Sequence, residues 1–225
     1  MKNRMFFLII VVILCALCLF SCKSKNRDYD EEEVISAAEN LIKKSEILNE
    51  IYYGHGIGYI MDESKANGYY YEADPTSVKT FNVETIEDIK KLTRECYSVS
   101  LANSIMSTKL SSVSDEDDNI IGYARYYQKY EVLDENKPEC IMVYKNADVN
   151  LTDKLTYDYG TIYVSRVSGE EVFVKITVNV KTDDGKEQTK ELEISLIEEE
   201  SGWRLNSPTY TKYIDRDYYN DLQNK

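Results

Sequence analysis

The spacing of apolar positions along the chain changes from a helical period to a strand period about halfway. Between residues 31 and 53, apolar side chains recur every three or four positions, which predicts one face of an amphipathic helix. Asp30 and the three glutamates after it supply a cap residue and first-turn acids, which the helix dipole favours. Gly54 and Gly56 end the pattern, so we expect a long N-terminal helix of about six turns. Its apolar face comprises Val34, Ala38, Leu41, Leu48 and Tyr52, widened by Ile35, Ile42 and Ile51.

Short elements are predicted between this helix and residue 119. Residues 57–84 have the pattern of short strands, with Asn67-Gly68 as a turn signal. Residues 85–88 open a second helix that runs to about Tyr97, and a third helix begins near Ser98.

From Asn119 onward, apolar and polar residues alternate with a period of two, which indicates half-buried strands. Helices followed by an antiparallel meander predict an α+β domain, in which the long helix and the short helices pack on a curved, mostly antiparallel sheet (cystatin-like). The clearest strand is residues 172–180, and Trp203 begins the last one. We expect one shared core formed by Val174, Val178, Ile194, Leu196 and Trp203 with Leu41 and Leu48.

The first 22 residues have the three parts of a bacterial lipoprotein signal. Lys2 and Arg4 precede an apolar stretch over Met5–Phe20, and Leu19-Phe20-Ser21-Cys22 matches a lipobox. The apolar stretch is shorter than the roughly 20 residues of an unstrained spanning helix. We therefore predict cleavage before Cys22 and acylation of that cysteine with diacyl or triacyl lipid such as palmitate, while an N-terminal transmembrane anchor is the alternative.

This signal divides the chain into three parts. Residues 1–21 are the signal peptide, residues 22–30 are the lipidated cysteine and a flexible linker, and residues 31–225 form one extracytoplasmic domain. We expect the protein on the outer side of the cell membrane, held in the bilayer by the lipid on Cys22.

The net charge of the chain is strongly negative and changes little with processing. Removal of residues 1–21 takes away Lys2 and Arg4, so Lys plus Arg falls from 27 to 25 against 40 acids and the net charge moves from −13 to −15. Such a surface repels nucleic acid and anionic lipid, so we expect no nucleic-acid partner. The acids are spread along the chain, which is typical of a solvated surface.

Few residues are available for catalysis or metal binding. His55 is the only histidine, and Cys96 and Cys140 are the only cysteines after the signal region. A thiol nucleophile would need His55 beside one of them, and structural zinc needs about four N/S ligands. We therefore predict a non-enzymatic protein without metal or cofactor. The two cysteines form either a disulfide or two buried thiols, and the segment 54–56 is a helix-ending turn that exposes the imidazole.

The run Ser114-Asp115-Glu116-Asp117-Asp118-Asn119 places oxygen ligands at the first, third and fifth positions of a calcium loop, starting from Asp115. Its sixth position is Ile120 instead of glycine and its twelfth is Tyr126 instead of glutamate. A solvated acidic loop is therefore favoured over a metal site.

Tyrosine is the unusual residue of this composition, with 20 tyrosines against 5 phenylalanines and 1 tryptophan. A tyrosine offers an apolar ring with a polar end, which suits interfaces and grooves that stack sugars. The alternative is that these rings fill the core and the sheet surfaces. They cluster at residues 69–71, at 123, 126, 127 and 130, and at 157, 159 and 163.

The chain resembles a known family in three segments: the long helix after the lipobox, residues 78–92 leading to Cys96-Tyr97-Ser98, and the closing residues 201–210. Over roughly residues 34–210 it is similar to the IseA-type inhibitors of bacterial cell-wall D,L-endopeptidases and to Gram-positive lipoproteins grouped with them. The resemblance implies a cystatin-like domain that performs no chemistry and blocks the active-site cleft of a peptidoglycan hydrolase with a protruding acidic loop. Asp115, Glu116, Asp117 and Asp118 fit such a loop in character and are the candidate partner-binding residues.

Three functions of different class follow. The first is a cell-wall-facing inhibitor whose partner is a wall hydrolase. The alternative is a small-ligand or glycan-binding domain with a tyrosine-lined pocket between the first helix and the concave face of the sheet; an enzyme with an acid–base pair in a cystatin-like cone is the third reading. A flat surface with a protruding acidic loop favours the first function, and a deep cone with convergent polar groups favours the second.

Overall fold

Four helices and nine strands make up the computed structural model, which describes residues 29–114, 120–132, 134–147, 154–181 and 185–210. The helices are α1 (Glu31–Tyr53), α2 (Pro75–Phe81), α3 (Ile86–Cys96) and α4 (Val99–Lys109). The strands are β1 (Tyr70–Glu72), β2 (Val113–Ser114), β3 (Ile120–Gly122), β4 (Tyr126–Glu131), β5 (Asp134–Tyr144), β6 (Lys154–Ser168), β7 (Glu171–Lys181), β8 (Glu187–Glu199) and β9 (Gly202–Leu205).

Side-chain caps fix where the helices begin. The Asp30 carboxylate accepts hydrogen bonds from the amides of Glu32 and Glu33 at 2.9 and 3.3 Å at the start of α1. Thr85 and Asp88 form a reciprocal capping box at the start of α3, and Ser98 caps α4. The predicted second and third helices are therefore confirmed.

Helix α2 contradicts the prediction of short strands over residues 57–84. Asp74 accepts a hydrogen bond from the amide of Thr76 at 3.1 Å, and Pro75 occupies the first turn with a backbone angle suited to a helix. Asn82 ends the helix in the left-handed conformation, with φ 53°. A helix of seven residues is too short to show a helical period, so only its caps signalled it. Within the same range, only β1 is a strand.

The strands form three antiparallel sheets in the described part of the chain. β5 lies between β1 and β4, β2 pairs with β3, and β6, β7, β8 and β9 follow one another in a four-stranded meander. On β7 the alternation is regular from Val172 to Val180, and the even-numbered side chains are buried. The α+β class is confirmed.

Helix α1 packs between the four-stranded sheet and α3. The core contains Leu41, Leu48, Val174, Val178, Ile194 and Leu196, as predicted. Trp203 differs, because it is only partly buried at the edge of this core and its indole N–H has no hydrogen-bond partner among the residues that the structure describes.

A buried polar group joins α1 to the end of the described chain. The hydroxyl of Thr209 lies 2.7 Å from the Ser45 hydroxyl and accepts a hydrogen bond from the Asn49 amide at 2.9 Å. Tyr157 donates to the Thr209 carbonyl at 2.6 Å. These contacts hold the segment after β9 against α1. None of the helices described here is both long enough and apolar enough to cross a membrane.

Candidate functional site: a tyrosine-lined cleft

A cavity of about 430 Å³ opens where the end of α4, the segment after β3 and the segment after β5 meet. We call it the tyrosine cleft. Its volume is in the range of small-molecule sites. It is lined by Thr108, Lys109, Gly122, Tyr123, Arg125, Tyr144, Asn146 and Ala147.

Backbone hydrogen bonds hold the three walls of the cleft together. The amide of Arg125 donates to the Lys109 carbonyl at 2.8 Å, and the amide of Tyr144 donates to the Arg125 carbonyl at 3.0 Å. Residues 123–125 therefore connect the end of α4 to the end of β5. The walls come from distant parts of the chain, and backbone pairing fixes their spacing.

One wall of the cleft is aromatic. The rings of Tyr123 and Tyr144 are stacked with centroids 4.8 Å apart, and Tyr123 is 37% exposed. Tyr70 lies beside both rings, is buried, and donates its hydroxyl to the Ala124 carbonyl at 2.7 Å. Together with Tyr69 and Tyr127, these rings form a continuous cluster on the outer side of the β1-β5-β4 sheet. We call these five residues the outer tyrosine cluster.

Among the tyrosines, one set is buried and another is exposed beside the cleft. Tyr52, Tyr71, Tyr97, Tyr126, Tyr157 and Tyr210 are buried and fill the core, as one of the two interpretations of their abundance predicted. Tyr69 and Tyr123 remain exposed beside the cleft, which is what the binding interpretation requires.

Arg125 is only 5% exposed and faces the end of α1 from the cleft wall. Its guanidinium donates to the carbonyls of Tyr52 at 3.3 Å and Gly54 at 2.5 Å, and to the Tyr126 hydroxyl at 3.0 Å. A cation at this position complements the negative end of the helix dipole. Gly56 has a positive φ of 71°, and a Cβ there would lie 2.1 Å from the Tyr126 hydroxyl, so the turn needs glycine.

Lysine amines lie over aromatic rings on both sides of the cleft. The Lys109 amine is 4.9 Å from the centroid of the Tyr53 ring, and the Lys145 amine is 5.5 Å from that of Tyr69. Such cation–π contacts fix the position of a lysine amine over an aromatic ring. The cleft therefore combines aromatic rings with polar side chains.

The residues considered for thiol chemistry are separated in the structure. His55 is exposed just beyond α1. Cys96 is buried in α3, where its thiol donates to the Leu41 carbonyl at 3.4 Å, and burial raises its pKa to about 12. Cys140 is half-buried in β5, and both cysteines are free thiols. Neither cysteine is a nucleophile paired with His55.

Glu72, Glu139 and Cys140 bring three potential metal-ligand atoms within 4.8 Å of one another on the β1-β5-β4 sheet. The Lys129 amine is 2.9 Å from Glu139 and 3.5 Å from Glu72, and Lys65 is 3.1 Å from Glu72. Burial raises the pKa of the Cys140 thiol, which disfavours the thiolate that a metal would need. The lysines make this cluster an ion-pair network.

The predicted lipidation site Cys22 and the acidic residues Asp115, Glu116, Asp117 and Asp118 lie outside the described residues. The strands on either side of the acidic run are described: Val113 of β2 lies opposite Gly122 of β3. Gly122 also lines the tyrosine cleft, so the acidic run is followed in the sequence by a strand that ends at the cleft.

Comparison with protein-family models, with curated proteins and with solved structures finds no match to this chain. We therefore infer function from the side chains that line the cleft. Its described lining contains no carboxylate, imidazole or thiol, and its groups are suited to stacking and hydrogen bonding with a ligand. The sequence indicated tyrosine as the unusual residue, but it did not indicate that Lys109 and Asn146 share a cavity with Tyr123 and Tyr144.

Proposed function

We propose that this chain is a non-enzymatic binding protein, anchored by lipid on Cys22 at the outer face of the membrane, and that the tyrosine cleft binds a saccharide of the cell wall. The observation that carries this proposal is the pair of stacked rings, Tyr123 and Tyr144, in a cavity of about 430 Å³ with polar groups on its rim.

A saccharide matches both halves of this lining. One face of a sugar ring presents C–H groups that pack on an aromatic ring, and its edge presents hydroxyls that need donors and acceptors. Tyr123 is 37% exposed, and one face of its ring is stacked on Tyr144. The Asn146 amide lies in the same cavity, together with the Thr108 hydroxyl, which donates to its own helix and can accept from a ligand. A few polar groups beside an aromatic ring can orient a bound ligand.

The test is a titration of the full chain, extracted in detergent, with soluble glycan fragments released from peptidoglycan, followed by calorimetry. Tyr123→Ala should weaken binding about tenfold, because an aromatic contact contributes about 0.5–1.5 kcal/mol and tenfold corresponds to about 1.4 kcal/mol. Tyr163→Ala is the matched control, since Tyr163 is 44% exposed on the four-stranded sheet, away from the cleft lining. Absence of binding by any wall glycan would contradict the proposal.

The second candidate function is inhibition of a cell-wall D,L-endopeptidase through Asp115, Glu116, Asp117 and Asp118. The antiparallel pairing of β2 with β3 favours it, because the acidic run is then the connection of a two-stranded ribbon. The resemblance to IseA-type inhibitors and the mature charge of −15 also support a basic hydrolase as the partner. A loop that acts by charge works mainly on the rate of encounter and weakens as salt screens it over about 8–10 Å.

This candidate is tested by replacing the four acids with Asn or Gln and titrating both proteins against D,L-endopeptidase turnover of peptidoglycan at low and moderate salt. The neutralised chain should inhibit more weakly while its melting temperature stays nearly unchanged. Replacing Glu198, Glu199 and Glu200 with Gln removes acids from the end of β8 and the following turn, and provides the charge control. If the unaltered chain inhibits no hydrolase of its own source, the inhibitor function is wrong.

A further proposal concerns how the long helix lies on the four-stranded sheet. We infer a cystatin-like arrangement, in which the long N-terminal helix α1 crosses the buried face of the four-stranded sheet. The support is the packing of α1 against β6 and β9, together with the hydrogen bond from the Tyr159 hydroxyl on β6 to Glu46 on α1. An experimental structure in which α1 lies away from this sheet face would contradict it.

A further inference from the structure

The aromatic surface does not end at the rim of the tyrosine cleft. Tyr69 is 49% exposed, and its ring centroid lies 5.6 Å from that of Tyr123 in an edge-to-face contact and 6.4 Å from that of Tyr144. The cleft rings and Tyr69 are therefore neighbours in one surface.

Lys145 extends the surface further. Its amine is exposed and lies 5.5 Å from the centroid of Tyr69 and 5.6 Å from that of Tyr71. The ring of Tyr71 is in turn stacked on Tyr59 at 5.4 Å. From the cleft outward, a ligand would therefore meet Tyr123, then Tyr69, then a positively charged donor. We call Tyr69 and Lys145 the outer platform.

The 5.6 Å between the centroids of Tyr123 and Tyr69 is comparable to the length of one sugar ring in a linear glycan. A single sugar bound beside Tyr123 would leave the outer platform without a contact. A chain of sugars that starts in the cleft would place its second or third unit at Tyr69 and within reach of the Lys145 amine. The Tyr69 ring is inclined at 74° to the Tyr123 ring, so it offers the chain a second, separate contact, which adds affinity only for the longer ligand.

We infer that the tyrosine cleft and the outer platform together bind a linear oligosaccharide of two or more sugar units in preference to a monosaccharide, with Tyr69 as the residue that selects for length. This inference rests on the proposed function, because it assigns a ligand size to the same cleft. It identifies the ligand as a glycan chain, such as the strand of a wall polymer, and distinguishes it from a free sugar taken up as a nutrient.

The experiment compares β-1,4-linked N-acetylglucosamine and its oligomers of two to four units as probes, titrated against the full chain in detergent. Affinity should rise by about tenfold between the single sugar and the trimer. Tyr69→Ala should remove most of that rise, with a larger loss of affinity for the trimer than for the single sugar, whereas Tyr123→Ala should weaken both. Tyr130→Ala removes a ring that is 47% exposed on β4 and serves as control.

The outcomes separate the two proposals. Equal affinity for the single sugar and the trimer would overturn the length preference and leave saccharide binding standing. An equal loss for both ligands in Tyr69→Ala would also overturn it, because Tyr69 would then belong to the primary subsite. If neither these probes nor wall glycan fragments bind, the proposed function falls and the length preference falls with it. Melting temperatures of all variants establish that the losses do not come from unfolding.

Discussion

The hydroxyl of Tyr126 donates a 2.8 Å hydrogen bond to the carbonyl oxygen of Ile51 in the last turn of α1. It also accepts hydrogen bonds from the amide of Ile57 and from Nε of Arg125, both at 3.0 Å. Carbonyls in the last turn of a helix have no partner within the helix. Two adjacent residues beside the tyrosine cleft therefore complete the end of α1, and the cleft wall and the helix support each other.

Replacement of Tyr126 by Phe should lower the free energy of unfolding by about 1–3 kcal/mol, because buried backbone groups of Ile51 and Ile57 would lose their partner. Burial raises the pKa of the Tyr126 hydroxyl, so it is a neutral donor at ordinary pH. Urea unfolding measures the effect. Tyr127→Phe is the control, because the Tyr127 hydroxyl accepts a hydrogen bond from the Asn67 amide at 2.8 Å at the surface. This substitution should change stability by less than about 0.5 kcal/mol. Equal stability of the two variants would contradict this account.

Replacement of Thr209 by Val should also destabilise the protein by about 1–3 kcal/mol. The change keeps the shape of the side chain and removes the hydroxyl that bonds Ser45 and Asn49, leaving their polar groups buried with one partner fewer. Thr209→Ser should retain most of the stability. Thr80→Val removes an exposed hydroxyl that bonds the Thr76 carbonyl and should have little effect. If Thr209→Val unfolds at the same urea concentration as the unaltered chain, the segment after β9 is not held by this group.

Asp88 should make the start of α3 sensitive to acid. Burial acts to raise the pKa of this carboxyl, but hydrogen bonds from the hydroxyl and amide of Thr85 and from the Glu84 amide outweigh it, and the pKa lies below its ordinary value. A carboxylate whose pKa is lowered by folding stabilises the protein above the unfolded value, and this stabilisation is lost as the pH falls through the folded value.

We therefore expect Asp88→Asn to be less stable than the unaltered chain by about 0.5–1 kcal/mol at pH 7, and the difference should shrink as the pH falls through the folded pKa of this carboxyl. Urea unfolding at pH 7 and at low pH measures the difference. Glu170→Gln changes an exposed acid at the β6–β7 turn and should have little effect at either pH. A difference that persists unchanged at low pH would show that the capping carboxylate is not its source.

Parts of this fold were predictable because their signals come from residues that are close together in the sequence. The starts of α3 and α4 depend on residues within three positions of Thr85 and Ser98, and the alternation on β7 depends on a single sheet face. Both signals are contained in a short stretch of chain. Helix α2 was missed because seven residues give no period and only Asp74 and Pro75 signal its start.

The candidate site was less predictable, because it is built by long-range contacts. The Arg125 guanidinium bonds Gly54 across 71 positions, and the Tyr126 hydroxyl bonds Ile51 across 75. The abundance of tyrosine left both a binding surface and a filled core open, and the pairing of β1 with β5 decides that Tyr70 and Tyr144 lie side by side. Sequence patterns report which face of an element is buried, whereas strand pairing decides which side chains meet.

The lipid anchor that we predict would require one of the three cysteines in the first 22 residues. Cys22→Ala should leave an unprocessed precursor that takes up no labelled palmitate, because only Cys22 follows Leu19-Phe20-Ser21. Each buried methylene contributes about 0.8 kcal/mol to membrane binding, and a single chain binds only reversibly, so a firm anchor needs the several chains of a lipidated cysteine. Cys18→Ala is the matched control, since it changes a cysteine of the same apolar stretch and should leave labelling and cleavage unchanged. Normal labelling and processing of Cys22→Ala would exclude a lipid anchor at this position, and labelling lost in both variants would point to a damaged signal peptide.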